Sequence, residues 1–179
     1  AVHAVSRDGI IECIKAGIDT IEHGPDIPDE YLDVMKEKGL TLVPTLAIYK
    51  ILSEGVGVLS DFMVERSLKV TNQQRDTFGR ARAKGVRIAL GTDAGSPLFG
   101  PHPVAFKEMH MMNLYGMSKE EVVTSATLTA AEVLGMEHEI GSVEPGKLAD
   151  LLVLETNPYE DLDAFTKHLV SVYKEGMLV

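Results

Sequence analysis

The sequence predicts an α/β fold in which parallel strands are covered by helices. Two observations predict it. Short apolar segments alternate with helical stretches that end at Gly17, Gly39 and Gly85, and repeated βα units bury a parallel sheet under helices. The C-terminal portion then changes to turn signals and short strands. Four βα units make half of an eight-stranded barrel, so a half-barrel followed by a small all-β part is expected.

Each element follows from local chemistry. Residues 1–5 (Ala-Val-His-Ala-Val) read as a strand. Asp8 is expected to cap a helix reaching Ala16, with Ile10, Ile11 and Ile14 on one face. Residues 19–22 read as a second strand. Pro28 suits the first turn of a helix running to about Lys38. Residues 40–47 read as a third strand, with Pro44 marking a strand end or bulge. Residues 48–60, with Gly55 and Gly57, suggest a loop. A long helix is expected from Ser60 to Lys84, and a fourth strand over 86–90, ending in Gly91-Thr92-Asp93-Ala94-Gly95. Helices follow over about 103–115, 118–126 and 128–134, with Ser118 and Glu121 fitting a capping box. A strand over 148–154 and a hairpin about Gly176 close the chain. The expected division is 1–135 and 136–179.

Composition excludes several classes. The 179 residues hold 17 Lys+Arg against 27 Asp+Glu, a formal charge of −10, so no basic footprint for nucleic acid or for an anionic membrane is visible. A single cysteine, Cys13, excludes an internal disulfide and a Cys-cluster metal site; it fits a reducing compartment such as the cytoplasm. No phosphate-cradling Gly-rich loop or nucleophile elbow is present. The opening residues read as a buried strand, which suggests a piece of a longer chain.

Catalytic residues of parallel α/β folds stand at the carboxyl ends of strands. His3 lies on the first strand, His23 ends the second, Thr45 lies near the end of the third, and Asp93 ends the fourth. Two imidazoles and a carboxylate are donors for Zn²⁺ and similar ions. An ion held there would make hydroxide available at neutral pH, and Asp93 could carry a proton from water to a leaving group. Plainer readings stand beside this one: hydrogen-bonded structural histidines, and an Asx-turn at Asp93. His102 could touch substrate at the rim or be a solvated loop residue. Tyr49 and Lys50 could line a pocket or belong to a mobile loop. His110, His138 and His168 read as surface residues, Cys13 as a buried small side chain, and Glu65, Arg66, Arg75, Arg80 and Arg82 as a solvated helix face.

The same residues resemble the amidohydrolase superfamily. Ala-Val-His-Ala is similar to its fifth barrel strand, Ile-Glu-His-Gly to its sixth, and Leu-Gly-Thr-Asp-Ala-Gly to its eighth. The tail, Ala126-Thr127-Leu128-Thr129-Ala130-Ala131 and then Gly141 to Asp150, is similar to the closing signature. Val43-Pro44-Thr45 and Gly91 to Gly95 resemble the imidazolonepropionase-like group that includes Xaa-Pro dipeptidase-type enzymes. Ala94-Gly95-Ser96 stands where imidazolonepropionases usually carry an Asn, which favours the dipeptidase-like branch.

The resemblance implies the C-terminal half of a TIM-like (β/α)8 barrel plus part of a small β-sandwich. It implies His3, His23 and Asp93 as ligands of one or two divalent ions, zinc first, with Asp93 also the proton shuttle. It implies hydrolysis of an amide or peptide bond in a small substrate, a dipeptide or cyclic amide, with Tyr49 and His102 as substrate contacts. The family's His-x-His pair and its bridging carboxylated Lys or Glu have no counterpart here. The chain alone is therefore expected to be inactive, and its open edges to pair with the missing N-terminal half or with a second copy as a homo-oligomer. Two alternatives remain: a non-catalytic, self-associating half-barrel, and an imidazolonepropionase or cyclic amidine deaminase chemistry on the same fold.

Overall fold

A computed structural model describes residues 1–55, 57–95 and 104–179. Strands β1 (Val2–Ala4), β2 (Thr20–His23), β3 (Thr41–Val43) and β4 (Arg87–Ile88) form one sheet in the order β1-β2-β3-β4. All three pairings are parallel. Each strand lies beside its sequence neighbour, the order of a barrel wall rather than of a doubly wound sheet. The connections are α1 (Arg7–Ala16), α2 (Asp29–Lys38), and a pair, α3 (Leu46–Ser53) and α4 (Asp61–Lys84).

Helix ends follow the expected stops. Gly17, Gly39 and Gly85 each adopt a left-handed C-cap conformation. The cap of α1 differs from expectation. Ser6, not Asp8, accepts a hydrogen bond from the Gly9 amide, and Asp8 sits inside the first turn, where its charge meets the helix dipole. Ser60 caps α4 as the sequence suggests.

Strand three is shorter than expected. It ends at Val43, and Leu46 already begins α3, so the first part of the segment expected as a loop, up to Ser53, is helical. Pro44 explains the change, because it offers no N–H to continue the ladder. Strand four is likewise confined to Arg87–Ile88, extended by one bond from the Ala89 amide to the Leu42 carbonyl. Gly91, just beyond, lies where a Cβ would stand 2.4 Å from Val43 Cγ1. The chain can pass the end of β3 there only without a side chain.

One apolar core joins sheet and helices. Ile21 and Leu42 from the strands meet Ile10, Ile14, Leu32, Met35, Phe78 and Ala81 from the helices. Cys13 packs against this core half-buried. The long helix is less uniformly solvated than expected. Arg80 bonds Asp29, Asp76 and the Ile27 carbonyl, tying α4 to the start of α2.

Helices α5 (Val104–Leu114), α6 (Lys119–Ala126) and α7 (Leu128–Leu134) follow, and the Ser118–Glu121 capping box forms. Strands β5 (Leu151–Leu154), β6 (Leu169–Lys174) and β7 (Met177–Leu178) make a second, antiparallel sheet, with the expected hairpin between the last two. A short helix α8 (Ala164–Lys167) had no clear sequence signal. His110, on α5, faces Asp163 at 3.0 Å, so this surface histidine is half of an ion pair when protonated. Among the described residues, no helix is long and apolar enough to cross a membrane.

Phe78 is fully buried at the centre of the core. Phe78→Ala should therefore destabilise the fold by about 3–5 kcal/mol, read as a lower urea midpoint in equilibrium unfolding.

Candidate active site at the strand ends

Three successive strand ends carry the same backbone feature. His23 (φ 72°), Thr45 (φ 48°) and Asp93 (φ 53°) are all non-glycine residues in the left-handed region. Such a conformation is uncommon, most of all for a β-branched residue like threonine, and costs on the order of 1–3 kcal/mol. Each marks the point where the chain leaves the sheet and turns over its rim.

These turns bring side chains together. Sheet register pairs His3 with Glu22, not with His23. The turn at His23 nonetheless places its ring edge-on to the His3 ring, with centroids 4.6 Å apart. His23 Nδ1 lies 2.6 Å from Thr45 Oγ1, a buried hydrogen bond between neighbouring strand ends. Tyr49, one turn into α3, sets its ring edge-on to His23 at 5.7 Å. Tyr49 is thus on a helix rather than a mobile loop.

Electrostatics favour neutral imidazole. Burial pushes the His23 pKa below its ordinary value, the neighbouring His3 adds to this, and the Asp93 carboxylate opposes it. Burial also raises the Tyr49 phenol, which keeps it protonated as a donor. A cleft of about 330 Å³ opens beside the His3 and Tyr49 rings, lined also by Phe62, Met63 and Arg66.

Buried polar groups behind the rim hold it in place. Gln74 on α4 donates from Nε2 to the Pro44 carbonyl at 2.6 Å and the His23 carbonyl at 3.4 Å. Among the described residues its Oε1 has no partner. Thr77, one turn on, donates to the Pro25 carbonyl. Glu108 on α5 is fully buried and accepts hydrogen bonds from the Leu46 and Ala47 amides at 2.8 and 2.7 Å. Burial raises its pKa to about 7 against the pull of those two amides.

Of the residues singled out by sequence, His3, His23 and Tyr49 come together. Asp93 acts on both His23 and Tyr49 through its charge, but its side chain is exposed. Among the described residues, no group of three or more His, Cys, Asp or Glu side chains is gathered closely enough to hold an ion. The structure thus brings His3 and His23 together and does not gather Asp93 into a three-ligand cluster with them. His102 lies outside the described residues. Gln74 and Glu108 were not singled out. For Glu108 a signal existed: it is spaced with Met109 and Met112 on the apolar face of its helix, an expensive place for a carboxylate without a task.

A half-barrel of parallel strands with imidazoles at its carboxyl rim defines a class of enzyme scaffold. The chain belongs to the amidohydrolase family, whose model matches residues 1–179. It is 31% identical to the ochratoxinase of Aspergillus niger over 99% of this chain and 37% of that protein. It is 33% identical to the imidazolonepropionase of Clostridium tetani over 70% of this chain and 32% of that protein. Among solved structures, a Xaa-Pro dipeptidase with methionine bound in its active site superposes with a TM-score of 0.90 at 36% identity, over 99% of this chain and 44% of that one. The chain therefore spans less than half the length of these relatives, and its fold is a partial TIM barrel.

A pH prediction follows from Glu108. A carboxyl whose folded-state pKa lies above its unfolded value stabilises the fold while protonated. That contribution is complete below pH 4.5 and is lost as pH rises through about 7. Wild type should therefore lose roughly 3 kcal/mol relative to Glu108→Gln between those limits, measured by urea unfolding at a series of pH values.

Proposed function

We propose that the protein is a metal-dependent hydrolase of a carbon–nitrogen bond in a small substrate, with a dipeptide as the favoured class and zinc as the favoured ion. One observation carries this reading. Two imidazoles from adjoining strands meet edge-on, and one of them, His3, lines a cleft that also offers a phenol, a guanidinium and apolar side chains. The likeness to a Xaa-Pro dipeptidase and to an imidazolonepropionase supports the bond type.

The donor chemistry fits a divalent ion in part. Neutral imidazole is the form that ligates, and burial favours it at His23. With Nδ1 engaged by Thr45, Nε2 is the ring nitrogen left for ligation, and the partner hydroxyl fixes the ring's orientation. His3 and His23 would hold the ion together, with Asp93 as the nearest carboxylate. When bound, such an ion polarises a carbonyl oxygen and acidifies water.

The chain's own residues supply the proton transfer and the substrate contacts. Asp93 accepts a proton from the attacking water and returns it to the leaving nitrogen. Arg66 and the protonated Tyr49 present a charge and a donor to a substrate carboxylate, while Phe62 and Met63 pack its apolar side chain. The same proton handling suits a cyclic amide or amidine, which is the chemistry of the imidazolonepropionase-like alternative. The remaining ligands would come from a complementary barrel half, and the open sheet edges suit that half or a second copy. The lone cysteine suits a reducing compartment such as the cytoplasm.

The test is hydrolysis of a panel of Xaa-Pro dipeptides, N-acyl amino acids and cyclic amidines by the zinc-loaded full-length protein. Asp93→Asn should lower kcat by about 10²–10⁴ with little change in KM. Retention of most of the turnover would overturn the role given to Asp93.

A further inference from the structure

We propose that Glu108 is a positioning residue, whose carboxylate caps α3 in place of Thr45 and so frees the Thr45 hydroxyl to orient the His23 ring. The inference rests on His23 being a site residue, as proposed above, but not on which reaction the site performs.

A helix N-terminus needs acceptors for its first amides. Its first amides have no partner within the helix, and a threonine at the N-cap ordinarily accepts from one of them through its side chain. Thr45 occupies that position for α3 and makes no side-chain cap bond. Its hydroxyl instead meets His23 Nδ1 at 2.6 Å. Both groups are buried, so this bond has no water to compete with it.

The amides that Thr45 leaves open are taken by a group distant in sequence. Glu108 uses one carboxylate oxygen for the Leu46 amide and the other for the Ala47 amide. A carboxylate at a helix N-terminus is also stabilised by the helix dipole. No other hydrogen bond to Glu108's side chain is formed among the described residues, so both of its oxygens are committed to this turn. Gln74 holds the preceding carbonyl, that of Pro44, from the other side. Thr45 is thus held between a buried amide and a buried carboxylate in a conformation that threonine does not adopt unaided. Loosening either one lets Thr45 relax toward ordinary capping geometry, which withdraws its hydroxyl from His23.

A purely structural role for Glu108 would leave the imidazole unaffected, and this separates the two accounts. The experiment is ¹⁵N NMR of the histidine rings, with amide hydrogen exchange, in the full chain free of metal and substrate. Neither readout depends on turnover, so it stands or falls apart from the hydrolase reading. Wild type should show His23 as a single tautomer and slow exchange at Leu46 and Ala47.

Glu108→Gln should speed exchange at those two amides at least tenfold and mix the His23 tautomers, with exchange at Ile21 and Phe78 unchanged. Thr45→Val should mix the His23 tautomers while Leu46 and Ala47 stay protected. Loosened amides in Glu108→Gln with an unchanged His23 spectrum would overturn the proposal, as would an unchanged His23 in Thr45→Val. If Glu108→Gln does not fold, Glu108→Asp, which keeps the charge and withdraws it by one methylene, is read by the same criteria.

Discussion

The hydrogen bond between His23 and Thr45 is the contact on which the rim of this half-barrel depends. It joins the ends of two neighbouring parallel strands at the point where their regular pairing stops. Strand hydrogen bonds cannot do this, because both residues have already turned into the left-handed region. A cost on the order of 1–3 kcal/mol at each such turn has to be met by surrounding structure. Here it is met by buried polar side chains from two helices, Gln74 from α4 and Glu108 from α5. The sheet supplies direction, and the helices supply the precision of the site.

That arrangement also explains the charge state of the rim. His23 is buried beside a second imidazole, and both effects favour its neutral form. The Asp93 carboxylate pulls the other way, from a more exposed position. A shift in this direction lessens the competition of protons for the ring nitrogen that a metal ion would use. The cleft beside His3 carries one cation, Arg66, in a chain whose net charge is −10.

Much of this was legible in the sequence, for physical reasons. The positions of His3, His23 and Asp93 on or at the ends of successive strands are readable because glycines mark the helix stops that fix the strand positions. Pro44 announced an irregularity in strand three, but not that a helix would begin two residues later. The helical setting of Tyr49 is therefore not readable from the sequence, which suggests a loop there. Glu108 and Gln74 were missed for a common reason. Their partners are backbone groups 30 to 62 residues away, and no local periodicity encodes such a bond. The short helix α8 was missed because a four-residue segment carries too little pattern.

The central claim is that His3 and His23 form one ligating pair at the rim. The most direct measurement is anomalous diffraction from crystals of the protein grown with zinc, collected on both sides of the zinc absorption edge. The account predicts an anomalous peak within about 2.0–2.2 Å of a ring nitrogen of each histidine, absent in His23→Ala. A peak elsewhere, or none at this rim, would contradict it.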